Sequence, residues 1–239
     1  MAGNLLSKSA ISQLNKRLWE EYEAFCKKDL SGYDVAYIFC DAVYEALRMY
    51  RSGKEGILVV WGILSSGKKI LLSMMLGNKE RYEDWLEVFR DFLSETDSPQ
   101  AKRRRGLGEP VLGTTDGAPG LIKTFEQLFP ETLRQRCLVH KKRNILNKVP
   151  QEATRGAKVY LDSIYYAPDY ATAKLLTKEF KDKYNQKYPS VVKLFEEDFG
   201  ANIQHLKCPV GHRRSKPDKL VERSFLEEKR RSKQCLDFL

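Results

Sequence analysis

Residues 110–144 read PVLGTTDGAPGLIKTFEQLFPETLRQRCLVHKKRN, and the reading of this stretch decides the fold. It opens with a β-prone run, Val111-Leu112-Gly113-Thr114-Thr115, that delivers Asp116 to its C-terminal end. Gly117 then turns the chain, a position suited to a residue that tolerates positive φ. Pro119 fits the first residue of a helix, where a missing N–H is no loss. Leu121, Ile122, Phe125, Leu128 and Phe129 follow at helical spacing, and Pro130 ends the helix. Arg136-Cys137-Leu138-Val139-His140 reads as a second strand that leads into a basic helix start, Lys141-Lys142-Arg143-Asn144. An acid at a strand mouth with cations one element later suits chemistry on a polyanion: a carboxylate for a hard cation, basic groups for phosphates. Asp-Gly alone is also a common turn, so acids elsewhere in the chain decide.

Upstream of this stretch, Ser7-Lys8-Ser9 predicts the cap of a helix over residues 10–28, with Ile11, Leu14, Leu18, Tyr22 and Phe25 on one face. It reads as a packing helix, or as part of a helical DNA-binding unit. Val35 to Cys40 are continuously apolar, as in a buried strand, and end on Asp41. Residues 56–64 and 69–76 predict two more strands joined by a hairpin at Ser65-Ser66-Gly67-Lys68. Residues 80–93 form an amphipathic helix with Trp85, Val88, Phe89, Phe92 and Leu93 inward. The polar run from Ser94 to the basic Lys102-Arg103-Arg104-Arg105 reads as a surface loop.

Downstream, residues 151–202 are helical in pattern and rich in tyrosine, with no strand. Residues 206–218 form a Cys/Pro/Gly/His/Arg loop, and residues 219–234 predict a helix carrying Glu222 among basic residues. Cys137-x2-His140 and Cys208-x3-His212 together mimic a zinc set. The two halves lie far apart and one sits in a predicted strand, which argues against zinc. The chain is 239 residues long with a net charge of +10, so an anionic partner is expected, nucleic acid before membrane. MAGNLLSKSA has no apolar signal region, and the apolar run at residues 57–61 is too short to cross a bilayer. Five scattered cysteines fit reduced thiols in a cytoplasm.

The element order is three hairpin-linked strands, a helix, a strand ending in an acid, a further strand, a helical block, and a helix with an acid. That order matches a ribonuclease H-like α/β core with a mixed sheet and a mostly helical insertion between the second Asp and the Glu. Asp41, Asp116 and Glu222 occupy the three acidic places. Three converging carboxylates repel unless divalent cations lie between them. Two Mg2+ (or Mn2+) ions would remove that repulsion and support an in-line displacement.

These residues carry a resemblance. From LSKSAISQLNKRLWEEYEAF to ERSFLEEKRRSK the chain resembles prokaryotic insertion-sequence transposases of the mutator type, which are DDE recombinases. TTDGAPGLIKTFEQLFP with RQRCLVHKKRNIL is the most specific part, and YIFCDAVYEALR comes next. The resemblance implies Asp41, Asp116 and Glu222 as catalytic and metal-binding residues, and places the family's C-x-x-H signature on Cys137 and His140. Lys219 stands where family members carry an Asn before the Glu. Arg136, His140, Lys141, Arg143, Arg213, Arg214, Arg223, Arg230 and Arg231 are the expected DNA contacts. The implied activity is cleavage of DNA at transposon ends and transfer of the 3′-hydroxyl into target DNA. The implied assembly is a homodimer or larger on DNA, in the bacterial cytoplasm at the nucleoid. Family members are longer, so a truncated copy is expected, with a catalytically inactive DNA-binding remnant as the alternative. The expected organisation is a remnant of an N-terminal helical DNA-binding region (1–30), the first part of the core (31–148), a helical insertion (149–205), and a return to the core with the Glu helix (206–239).

Overall fold

The computed structural model describes residues 7–45, 55–77, 81–93 and 105–213. Their centre is a mixed sheet of β1 (Val35–Glu45), β2 (Glu55–Leu64), β3 (Lys69–Gly77), β4 (Leu112–Thr115) and β5 (Leu133–Arg136), in the order β3-β2-β1-β4-β5. The three hairpin-linked strands are antiparallel, and β4 and β5 join them in parallel. The β2–β3 turn is the predicted one. Gly67 takes φ 81°, and its N–H donates to the Leu64 carbonyl at 2.8 Å.

One face of the sheet carries Ile38, Cys40, Leu58, Val60 and Leu72 into a core with helices α2 (Tyr82–Phe92) and α3 (Pro119–Leu128). Trp85, Val88, Phe89 and Phe92 of α2 are buried there, as the heptad-like spacing predicts, while Leu93 is half-buried. Phe89 meets Phe125 and Phe129 edge-on, with ring centroids 5.9 and 5.4 Å apart. Gly113 of β4 has no room for a side chain, since a Cβ would lie 2.1 Å from the Phe125 ring. The opposite face presents Val43, Ile57, Val59, Trp61, Leu71 and Met74.

A second hydrophobic cluster is built from helices after β5. These are α4 (Leu138–Leu146), α5 (Gln151–Tyr165), α6 (Tyr170–Tyr184), α7 (Pro189–Glu196) and the short α8 (Phe199–Asn202). The tyrosine-rich block is largely its core: Tyr165 and Tyr184 are buried, and Phe180 stacks on Tyr184 at 4.7 Å. A 3-10 turn (Gln204–Lys207) and α9 (Val210–Arg213) replace the loop expected there.

Three expectations change. First, β1 does not end on Asp41 but runs to Glu45, because β2 continues as its antiparallel partner through Glu55. Second, the strand expected over residues 136–140 ends at Arg136, and Cys137 caps α4. The Cys137 N–H makes the last bond to β4, at the Thr115 carbonyl (2.8 Å), so the partner strand has run out and the chain coils. Third, helix α1 (Lys8–Cys26), capped by Ser7, exposes its first turns, with Ile11, Leu14 and Leu18 about half accessible. Only its far end is held: the Tyr22 hydroxyl donates to the Met74 carbonyl at 3.0 Å.

Arg105 is a further correction. It belongs to the basic run assigned to a surface loop, yet it is 4% exposed. Its Nε donates to the Lys28 carbonyl (2.8 Å) and its Nη1 to the Leu72 carbonyl (2.6 Å). Phe25 and Phe92 lie against the guanidinium, and Asp91 approaches it at 3.5 Å. One side chain thus joins the end of α1, an edge strand and α2. Arg105→Ala strands these carbonyls, so urea unfolding will show a loss of about 3 kcal/mol.

Candidate acidic site at the end of the parallel strands

Alternation along β1 puts Ile38 and Cys40 on the core face, and Tyr37, Phe39, Asp41 and Val43 on the other. In β4, Gly113 approaches the core ring of Phe125, so Thr114 and Asp116 belong to the opposite face. The register pairs Phe39 with Thr114 and Cys40 with Thr115. One step past the last pair come Asp41, still within β1, and Asp116, just after β4; the alternation carried one residue on assigns both to this face, on strands spaced about 5 Å apart. Both are half-buried.

The two carboxylates leave a mark on the residue between them. Burial first, then Asp116 and Asp41, push the Cys40 thiol well above its usual range. Asp116 is also oriented: its Oδ1 accepts from the Ala118 N–H at 2.9 Å, an Asx turn that leads into α3 with Pro119 at its start. The Asp41 Oδ1 accepts from the Ala42 N–H at 2.9 Å. Oxygen-only donors of this kind suit Mg2+ or Mn2+ better than soft metals. Among the described residues no group of three His, Cys, Asp or Glu side chains is arranged for a metal. Glu222 lies outside the described residues, as do Arg214, Arg223, Arg230 and Arg231.

Gly117 does not take a positive φ, contrary to the expectation from sequence. The Arg136 guanidinium lies where a side chain at this position would stand. A Cβ there would lie 1.7 Å from Nη2 of Arg136, whose Nη1 donates to the Asp116 carbonyl at 2.7 Å.

The remaining cations divide. Arg143 is exposed on α4. His140, in the first turn of α4, is half-buried and its Nδ1 has no hydrogen-bond partner. Lys141 is 2% exposed; its Nζ donates to the Glu197 carbonyl at 2.7 Å and lies 3.6 Å from that residue's carboxylate. Desolvation, partly offset by Glu197, lowers its pKa. The ammonium is thus engaged by the end of α7, at the edge of the cleft that Lys141 also lines. Arg213 is half-buried and donates to the Cys208 and Pro168 carbonyls at 2.7 and 2.6 Å.

Sequence reasoning missed the groups that buttress the site. Gln135, 4% exposed, points opposite to Arg134 and Arg136 on β5. Its Nε2 donates to the Arg136 and Asn202 carbonyls at 2.7 and 3.0 Å, and its Oε1 accepts from the His205 N–H at 2.9 Å. Arg134 holds Asp198 with both Nη atoms (2.8 and 2.7 Å) and Glu126 with Nε (2.7 Å). Glu126, Arg134 and Asp198, with Gly117, Arg136 and Lys141, line an open cleft of about 510 Å3 beside the turn. The strand alternation in Arg134-Gln135-Arg136 was the available signal. Farther along the same face, the Tyr37 hydroxyl meets His212 Nδ1 at 2.5 Å, so the chain arrives at the face that carries Asp41.

Comparison with known proteins gives a consistent result. A model of the family described as "Transposase, Mutator family" matches residues 1–238. The transposase for insertion sequence element IS6120 of Mycolicibacterium smegmatis is 32% identical over 211 residues, 88% of this chain and 62% of that protein. The transposase for IST2 of Acidithiobacillus ferrooxidans is 32% identical over 74% of this chain and 57% of its own length. That for IS256 in transposon Tn4001 of Staphylococcus aureus is 25% identical over 98% of this chain and 58% of its own. The chain thus spans roughly three fifths of the length of these curated relatives.

Gln135→Leu leaves the Asn202 carbonyl and the His205 N–H without their partner. Chemical denaturation will show a loss of about 2–3 kcal/mol.

Proposed function

Because the chain belongs to the Mutator family of transposases, we propose that it carries the catalytic core of a transposase that cleaves DNA at transposon ends. In this reading it then transfers the freed 3′-hydroxyl into target DNA. The observation that carries the proposal is the register of β1 with β4, which sets Asp41 and Asp116 side by side at the end of the parallel ladder. The β3-β2-β1-β4-β5 order, antiparallel through β1 and parallel beyond it, supports a ribonuclease H-like core. Open sheets bind ligands beyond the carboxyl ends of their parallel strands; Asp116 follows the last residue of β4, while Asp41 lies within β1, one step past the last β1–β4 pair.

Asp41 and Asp116 would hold Mg2+ or Mn2+, two ions with Glu222 as a third carboxylate. Bound there, such ions activate an attacking oxygen and stabilise the leaving one. Glu222 follows Arg213 by nine positions. An extended chain of that length reaches about 30 Å. His212 rests on Tyr37, on the face that bears Asp41. The protein's own contribution is placement: the Ala118 N–H orients Asp116.

The net charge of +10 draws DNA toward the molecule. Arg143, exposed on α4, is one described cation that would meet a phosphate in this reading. The proposed partners are transposon terminal repeats and target DNA, bound by a dimer or larger assembly at the nucleoid. Among the described residues no helix is long and apolar enough to cross a membrane.

Asp116→Ala and Asp41→Asn will abolish Mn2+-dependent nicking of DNA bearing candidate terminal repeats, with DNA affinity changed less than about twofold. A nicking-competent Asp116→Ala sinks the assignment; a wild-type chain that binds DNA but never nicks it is the inactive remnant. Affinity will fall about tenfold or more between about 50 and 200 mM salt, as even two phosphate contacts require.

A further inference from the structure

We propose that Arg136 is a positioning residue for Asp116, and that residue 117 is glycine because the Arg136 guanidinium occupies the space of its side chain. The inference rests on the reading of Asp41 and Asp116 as a metal-binding pair.

Three observations meet at this turn. Nη1 of Arg136 donates to the Asp116 carbonyl at 2.7 Å. A Cβ on Gly117 would lie 1.7 Å from Nη2, 2.4 Å from Cζ and 2.5 Å from Nη1 of the same guanidinium, so that group lies against the glycine backbone. From the other end, the Asp116 Oδ1 accepts from the Ala118 N–H at 2.9 Å. The carbonyl and the carboxylate of one residue are therefore each fixed by a bond, where β4 has ended and its ladder with β1 stops at Thr115.

Arg136 is half-buried and lines the open cleft, yet it spends Nη1 on a carbonyl and leaves Nε buried without a partner. A buried unsatisfied donor carries a penalty that exposed arginines avoid. Its neighbours confirm the commitment: Gln135 Nε2 holds the Arg136 carbonyl at 2.7 Å, which anchors the backbone from which the clamp extends. Gly117 fits the same logic, since its backbone has no positive φ and any residue could adopt its conformation were the space open.

The functional consequence follows from how metal sites tolerate error. Ligands must stay within about 0.5 Å of productive geometry, and the groups behind them set that precision. Without the guanidinium, the peptide between Asp116 and Gly117 can rotate, and the carboxylate turns with it.

The test uses the full chain with Mn2+ alone as the probe, read by calorimetry and by metal-induced thermal stabilisation, with far-UV circular dichroism as the check on folding. Asp116→Asn is the reference and is expected to lose the Mn2+ response. Arg136→Ala is expected to bind Mn2+ about tenfold more weakly. Arg136→Lys recovers part of that loss, since an ammonium can still donate to the carbonyl. Gly117→Ala is expected to weaken binding by a similar factor, because the far end of a flexible arginine yields before backbone does. In the Arg136→Ala background Gly117→Ala adds little, as the contested space is empty. Wild-type Mn2+ affinity in Arg136→Ala and Gly117→Ala, with Asp116→Asn inactive in binding, overturns the clamp and leaves the carboxylate pair standing. Additive losses in the double variant also overturn the clamp. A wild-type chain with no Mn2+ response overturns the pair and the clamp together.

Discussion

Everything near the site depends on one register: β1 and β4 run parallel with Cys40 opposite Thr115. A shift of one residue would turn Asp116 into the aromatic core and Thr115 out of it. Gly113 guards against that slip, since only its missing side chain lets Phe125 approach the sheet. The register sets two carboxylates side by side, which is unfavourable for folding, because like charges on adjacent strands repel. Burial first, and then these two carboxylates, raise the thiol pKa of Cys40 on the core face. The proposed function gives this costly pair its reason, and the chain's membership of the Mutator family of transposases supports that reading.

The rest of the molecule fixes this corner from two sides. On the core face, α2 and α3 press aromatic rings against β1 and β4. On the other, the helical block returns through Asn202, His205 and His212, with Gln135 and Tyr37 as its contacts on the sheet. Charged side chains at the boundary act as internal ties. Arg134 bridges α3 and the loop after α7, and Lys141 caps the end of α7 through the Glu197 carbonyl. The excess positive charge read from composition is therefore partly structural.

Much of this was legible in the sequence because local rules and tertiary outcome agree. Alternating and continuous apolar runs marked the strands, and Pro119 and Pro130 bracketed α3. Asp41 and Asp116 stood out because each closes a β-prone run. What failed was decided by distant partners. Val139 and His140 look extended, but β5 loses its neighbour at Thr115 and the chain turns helical. Arg105 and Lys141 read as solvent cations; carbonyls far along the chain bury them. Gly117 was assigned backbone freedom, whereas its glycine answers to a side chain 19 residues on. No periodicity encodes such pairings.

The most direct measurement is a crystal structure of the chain soaked in Mn2+, with the metal located by its anomalous scattering. The account predicts density between the carboxylates of Asp41 and Asp116, lost in Asp116→Asn. Aspartates turned apart, or manganese found only elsewhere, would contradict it.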